Sequence, residues 1–282
     1  MLAKRKKMLI WLLIAAVLLT ALCITALDYR ISAPVYAEHS GKITSSVRIA
    51  LISDHHSSNY GKDQQELMQA IRAQQPDLIV LTGDIFDDAP PHDNALTLLR
   101  QIGAEYPCFY AAGNHEFWSG EINVLKEKIR ACGITVLEGS GERVRIKGQK
   151  LYICGVDDPE CSKHTDEGID DWDTQLERCR EGLPQGIYSI LLSHRPELVA
   201  QYQNSGFDLV LAGHAHGGQV RIPGILNGLF SPGEGFFPKY AGGRYELEGN
   251  VTMIVSRGLA KSALPRIFNP PELAVIELLP AE

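Results

Sequence analysis

Apolar positions are spaced in three ways along this chain. Residues 8–27 are one uncharged run, mostly Leu, Ile, Ala and Val, behind Lys4, Arg5, Lys6 and Lys7. Residues 28–46 are polar, contain Ser and Pro, and keep no period, the pattern of a linker. From Val47 the spacing switches between continuous apolar runs (47–53, 77–82, 108–112) and stretches of helical period (63–74, 93–102, 121–132). Buried strands alternating with helices of that length predict βαβ units and a largely parallel sheet. Beyond residue 133 the apolar runs shorten to 134–137, 144–146 and 151–156, separated by Gly-containing turns, which predicts a second sheet. A helix over 172–180, a strand over 187–193, a helix over 197–203 and a strand over 209–212 follow, and strands over 245–247, 252–256 and 273–278 close the pattern. With no internal repeat and no low-complexity tract, a single two-sheet α/β domain over residues 47–282 is expected.

A helix over 8–27, at ~1.5 Å rise per residue, is as long as a bilayer core of roughly 30 Å is thick. Residues 1–7 then read as a basic tail, 8–27 as a transmembrane anchor and 28–46 as a linker. A cleaved secretory signal is the rival reading. Its apolar core is shorter, about 7–15 residues, and Val35-Tyr36-Ala37 lies far downstream for its cleavage site. Four basic residues before the run, against Arg30 just after it, favour a cytoplasmic N-terminus. The expected arrangement is a single-pass protein of the cell membrane with its domain outside.

Composition narrows the class. The 282 residues are 45% hydrophobic and 22% charged, which supports a sizeable core and excludes disorder, collagen and coiled coil. The formal net charge is −7, and without the four leading basic residues 23 positive charges face 34 negative ones, a net of −11. Such a body repels a polyanion, so no nucleic-acid polymer is expected as partner, although a local pocket for one small phosphate ester is compatible with it. The six cysteines contain no C-x-x-C pair. Cys108 and Cys154, in apolar runs, read as small buried hydrophobes, and an extracellular domain would allow Cys161 to pair with Cys154 or Cys179.

Five polar segments begin where an apolar run stops: Ser53-Asp54-His55-His56, Gly83-Asp84-Ile85-Phe86-Asp87, Gly113-Asn114-His115-Glu116, Ser193-His194-Arg195-Pro196 and Gly213-His214-Ala215-His216. Ligand sites of α/β sheets collect beyond the carboxyl ends of strands, so these segments converge in such a fold. A Gly-Asp after a strand is by itself a turn, and a lone His beside an apolar run is by itself a satisfied polar residue. In an extended His-x-His, alternate side chains point to one side and reach one centre. Core packing gives no reason for all five segments to sit in order at strand ends. Carboxylate, carboxamide and imidazole without thiolate suit Mn, Fe or Zn in a reactive rather than a structural site.

Asp54-x-His56, Gly83-Asp84-x-x-Asp87, Gly113-Asn114-His115-Glu116, His194 and Gly213-His214-x-His216 resemble, in that order, the motif set of the calcineurin-like metallophosphoesterases. Gly213 to Arg221, Lys239-Tyr240 and Ser256-Arg257-Gly258-Leu259 are similar to tail segments of the bacterial membrane-anchored phosphodiesterase branch. The resemblance implies a four-layer α/β/β/α sandwich of two mixed sheets behind the transmembrane helix. It also implies two divalent ions, one held by Asp54, His56, Asp84 and His216 and the other by Asp84, Asn114, His194 and His214. A bridging Asp84 suits that scheme, since an anionic carboxylate offsets the repulsion of two cations ~3.5–4 Å apart, and a metal-bridging hydroxide would be the nucleophile. His115 corresponds to the family's histidine that is not a ligand but faces the leaving group, as general acid or charge stabiliser. Glu116 would orient the His115 imidazole or be a surface acid, and Asp87 would support a ligand. His55 stands where the branch more often has an apolar residue; strand alternation turns it away, and the alternative is that it competes with His56 for a metal. Arg195, Arg221 and Arg257 are candidates to grip a phosphate. Phe230, Phe236 and Phe237 form either an apolar rim or ordinary loop packing.

The expected activity is hydrolysis of a phosphomonoester or phosphodiester of lipid or cell-envelope origin. A lipid-linked or nucleotide-sugar-lipid pyrophosphate is the alternative within the class, and its cytoplasmic location conflicts with the orientation above. A catalytically silent metal-binding scaffold is the alternative from another class. It would lack a ligand or His115, and none is missing here.

Overall fold

The structure, a computed structural model, describes residues 2–165, 168–261 and 264–281. An N-terminal helix α1 (Leu2–Ala26) carries the apolar run, with none of its membrane-length stretch buried by the rest of the chain. The remaining strands are β1 (Val35–Ser40), β2 (Val47–Ile52), β3 (Leu78–Thr82), β4 (Cys108–Ala111), β5 (Thr135–Val136), β6 (Ser140–Ile146), β7 (Gln149–Gly155), β8 (Tyr188–Leu192), β9 (Leu209–Ala212), β10 (Phe230–Ser231), β11 (Gly235–Phe236), β12 (Gly243–Leu247), β13 (Val251–Val255) and β14 (Ala274–Pro280). Six of them form a sheet in the order β1-β14-β2-β3-β4-β5, six a second sheet in the order β12-β13-β9-β8-β7-β6, and β10 and β11 a short hairpin. Both large sheets are mixed. β2, β3, β4 and β5 run parallel, as do β7, β8, β9 and β13, with β14 antiparallel to β2 and β6 and β12 antiparallel at the edges of the second sheet.

The two sheets pack face to face. Ile49 and Leu51 of β2, Val80 of β3, Ile153 of β7, Ile190 of β8 and Leu211 of β9 share one buried cluster between them. The alternate residues, such as Ala50, Ile52, Leu191 and Val210, face outward beneath the helices, as the period of two along a strand requires. Helix α2 (Gln65–Gln74) and helix α3 (Asp93–Glu105) cover the first sheet with apolar stripes; α3 buries Ala95, Leu98, Leu99 and Ile102, a helical spacing. Short α4 (Asn114–Trp118) precedes α5 (Ile122–Ala131), whose buried stripe contains a charge, Lys126, among Ile122, Leu125 and Ile129. Helix α6 (Trp172–Glu181) lies over β7, and α7 (Val199–Tyr202) is one turn.

Two expectations change. Within 28–46, Val35–Ser40 is a strand paired in parallel with β14 rather than a linker. Its buried side chain is Glu38, held by Arg244 Nε at 2.5 Å and by the Thr252 hydroxyl at 3.1 Å, so no apolar alternation marks the strand. The disulfide joins Cys154 to Cys179, linking β7 to α6, with Cα atoms 6.0 Å apart. Cys161 is buried and free, and Cys154 is a bridge partner rather than a packed thiol.

Candidate metal centre

The parallel strands of both sheets end on one edge, and the loops that leave them interlock there. His214, after β9, donates its backbone N–H to both carboxylate oxygens of Asp54, after β2, at 3.0 and 3.1 Å. Asp54 N–H in turn donates to the Gly83 carbonyl after β3. The loops approach too closely for side chains between them: a Cβ at Gly83 would lie 2.4 Å from the Gly113 nitrogen, and one at Gly213 would lie 1.8 Å from Ser53 Oγ. Five candidate ligands, Asp54, His56, Asp84, His214 and His216, sit in the left-handed region with φ of 50°, 46°, 52°, 65° and 49°. Non-glycine residues held there cost about 1–3 kcal/mol each, and such strain concentrates at functional sites.

Two groups of donors result. Donor atoms of Asp54, His56 and His216 lie within 4.8 Å of one another, as do those of Asp84, His194 and His214. The groups meet at one atom. Asp84 Oδ2 is 3.1 Å from His194 Nε2 and 3.6 Å from His56 Nε2. Imidazole nitrogens also face each other, His56 Nε2 and His216 Nε2 at 3.3 Å and His214 Nδ1 and His194 Nε2 at 3.2 Å. Asn114 Oδ1, His214 Nε2 and His216 Nδ1 are buried with no hydrogen-bond partner among the described residues. Carboxylates and imidazoles gathered this closely, with buried lone pairs unpaired, fit the coordination of divalent cations.

Burial opposes charge on His194 and His56, yet Asp84 raises His194 to about 10 and Asp87 and Asp84 raise His56. Burial pushes the Asp54 carboxyl above its usual range, and His194 opposes it. Burial acts on Asp84 in the same sense, yet His194, His56 and His115 together hold Asp84 well below the usual carboxylate range. Burial, with His194 beside it, drives His214 down to about 2, and burial with His56 drives His216 well below its ordinary value. Both imidazoles are therefore neutral, the form that ligates a metal.

Residues around the two groups hold them in place. Glu116 is fully buried, and its carboxylate accepts backbone N–H bonds from Asp84, Ile85, Phe86 and Gly113 at 2.7–3.0 Å. It thus pins the loop that carries Asp84, and neither of its sequence-derived readings applies. Burial pushes its carboxyl up to about 7. Asp87 is the residue that meets His115: its Oδ1 stands 3.1 Å from His115 Nδ1 and 3.5 Å from His56 Nδ1. His115 donates its backbone N–H to Asp84 Oδ1 at 2.9 Å, and its half-buried ring packs edge-on against His56, centroids 4.4 Å apart. His55 is buried away from both groups, against Tyr60.

A cleft of about 270 Å³ opens over this edge, walled by His56, Asp87, His115, His216, Gln219 and Lys261 among others. Lys261 is its one lysine or arginine among the described lining residues. No spacing rule in the sequence singled it out. The three candidate arginines do not line this cleft. Arg195 makes a two-pronged ion pair with buried Asp158 at 2.7 and 3.0 Å. Arg257 is paired with buried Glu272, and Arg221 bonds to Asn227. Phe230, Phe236 and Phe237 are exposed on and beside the β10–β11 hairpin.

The family model described as calcineurin-like phosphoesterase matches residues 47–218. A metallophosphoesterase of Bacillus subtilis is 31% identical over 238 residues, covering 82% of this chain and 78% of that protein. A metallophosphoesterase of Campylobacter jejuni is 30% identical over 239 residues, 82% of this chain and 59% of its own length. A bovine relative, named a transmembrane protein with metallophosphoesterase domain, is 27% identical, covering 78% of this chain and 50% of that protein. This chain thus spans between half and four-fifths of these relatives. Among solved structures, a 5′-nucleotidase precursor from Thermus thermophilus superposes with a TM-score of 0.52 at 15% identity, covering 83% of this chain and 54% of that one, a likeness of fold.

Proposed function

Since the chain belongs to the calcineurin-like phosphoesterase family and is a metallophosphoesterase, we propose that it hydrolyses phosphomonoesters or phosphodiesters at a dinuclear centre while tethered to the membrane. One observation carries the reading: Asp84 Oδ2 stands between the two donor groups, 3.1 Å from His194 and 3.6 Å from His56. Asp54, His56, Asp84 and His216 would hold one divalent ion and Asp84, Asn114, His194 and His214 the other, with Mn, Fe or Zn suited to the donors. When bound, such a pair supplies a water-derived nucleophile at neutral pH and neutralises the phosphoryl oxygens.

The chain's own residues do the rest. Thr82 and Asp54 fix the ligand loops through His194 Nδ1 and the His214 N–H. Asp87 Oδ1 stands 3.1 Å from His115 Nδ1 without a hydrogen bond between them, and sets a carboxylate beside the imidazole that would serve the leaving oxygen. Lys261, anchored by the Asn59 carbonyl at 2.9 Å and lying over the Tyr60 ring, places a positive charge on the cleft wall.

Helix α1 is long and apolar enough to cross a membrane, and bovine and zebrafish relatives are named transmembrane proteins. The four basic residues ahead of it and the Cys154–Cys179 bridge both support a domain on the outer, oxidising side. That side favours a phosphoester of lipid or cell-envelope origin over a cytoplasmic pyrophosphate.

The test is turnover of a chromogenic phosphomonoester and phosphodiester by the full chain in detergent with Mn, Fe, Zn or a chelator. Metal-dependent turnover that Asp84→Asn abolishes is expected. Turnover that survives both the chelator and Asp84→Asn refutes the reading.

A further inference from the structure

We propose that the turn Ile222–Leu226 and the pocket between Arg221 and Arg257 dock onto the membrane surface beside α1 and take the phosphate of an anionic phospholipid headgroup. This inference rests on reading α1 as a membrane anchor.

The turn is closed on itself: Ile222 N–H donates to the Leu226 carbonyl at 3.0 Å and Leu226 N–H to the Ile222 carbonyl at 2.8 Å. It holds Ile222, Pro223 and Ile225 out of the fold. Ile225 is 83% exposed, more than any other large apolar side chain whose burial is described. A rigid apolar tip has nothing to bury against in water and inserts readily at a headgroup boundary.

Behind the turn lies a cavity of about 530 Å³ lined by Arg221, Arg257 and Phe268. Buried Glu272 answers the charge of Arg257. No carboxylate among the described residues pairs with Arg221. Its Nη2 donates to Asn227 Oδ1 at 2.6 Å, and its Nη1 is buried without an acceptor. A half-buried guanidinium without an ion pair, on a body of net charge −11, is a local site for an anion, and phosphate oxygens match its fork.

The anchor sets where that site lies. Phe268, which lines the cavity, donates its N–H at 2.7 Å to the carbonyl of Ala26, the last residue of α1. Arg257 Nη2 donates to Ser32 Oγ at 3.0 Å, and the N–H of Arg266 donates to the Tyr29 hydroxyl at 3.1 Å. The pocket is therefore within a few residues of the point where the chain leaves the bilayer, the level of lipid phosphates and interfacial tyrosines. Gln219, on the metal cleft, accepts from Ile267 N–H, and Ile267 accepts from Arg221 N–H. Docking thus brings the cleft rim toward the headgroups, where a membrane-held phosphoester reaches it without leaving the bilayer.

The test uses the full chain in vesicles of phosphatidylcholine with brominated acyl chains, with and without phosphatidylglycerol. Trp11, inside α1, reports the anchor, and Ile225→Trp reports the turn. Quenching of the introduced Trp in excess of wild type, growing with phosphatidylglycerol, is expected. Arg221→Gln should lower the docked-to-undocked ratio about fivefold, the effect of one cation near an anionic surface, and Arg221→Lys should restore most of it. Trp11 quenched with the introduced Trp unquenched overturns the docking and leaves the anchor standing. An unquenched Trp11 overturns both. Quenching indifferent to phosphatidylglycerol and to Arg221→Gln overturns the phosphate site.

Discussion

The ring nitrogen Nδ1 of His194 lies 2.6 Å from the backbone carbonyl oxygen of Thr82. A carbonyl can only accept, so Nδ1 carries the proton and Nε2 is left facing Asp84. The last residue of β3 in one sheet thereby sets the tautomer of a candidate ligand that follows β8 in the other. Sheet packing and ligand chemistry are joined at that bond, in the manner of outer hydrogen bonds that orient metal-bound histidines.

Glu116 does for Asp84 what Thr82 does for His194. Glu116→Gln keeps the shape but turns an amide donor toward backbone N–H groups that need acceptors. Each buried group left unpaired costs about 1–3 kcal/mol, and loss of outer support lowers metal affinity about 10–100-fold. A lower melting temperature together with weaker Mn binding is expected. A Glu116→Gln chain that matches wild type in both rejects the pinning role.

His115 touches the cleft and is not needed to close either donor group. His115→Ala should retain its metal and slow turnover about 10²–10⁴-fold, a loss that is smaller for substrates with good leaving groups. Comparing two aryl phosphate esters of different leaving-group acidity checks this. An equal loss for both removes His115 from leaving-group protonation.

Lys126 is the charged member of the α5 stripe, its Nζ 2.8 Å from Asp157 Oδ2 and 2.6 Å from Glu138 Oε1. Asp157 is fully buried. Removing one partner of a buried pair costs about 3–5 kcal/mol, because the other charge is stranded. Lys126→Ala should lose that much stability in denaturant unfolding, whereas Lys126→Ala with Asp157→Ala should recover part of it. A loss under about 1 kcal/mol in the single variant contradicts a stabilising pair.

The Cys154–Cys179 bridge closes a sequence separation of 25 residues. Such a crosslink stabilises by about 2–4 kcal/mol. The chain should melt at lower temperature under reducing conditions, and Cys154→Ser should melt at that same lower temperature with or without reductant. An unchanged melting temperature in reductant indicates that the thiols are not bridged.

How much of this was legible varies with the physics of each part. The βα rhythm was plain because buried parallel strands are continuous apolar runs, and the polar clusters at their ends stood out against that background. β1 was hidden because its buried position is Glu38, satisfied by Arg244 and Thr252, partners more than 200 residues away in sequence. Glu116 was misread because its acceptor role depends on a backbone loop that only the folded chain brings to it. The arginines were assigned to phosphate by residue type alone, and the acids that occupy Arg195 and Arg257 are set by tertiary packing. The disulfide pairing depended on α6 lying over β7, which no spacing of cysteines specifies.

The metal content of the purified full chain, measured after saturation with Mn and removal of free ion, bears most directly on a centre shared through Asp84. Two ions per chain are expected for wild type, falling together in Asp84→Asn with the loss of phosphoester turnover. A single ion in wild type, or two ions retained in Asp84→Asn, contradicts a carboxylate that bridges two metals.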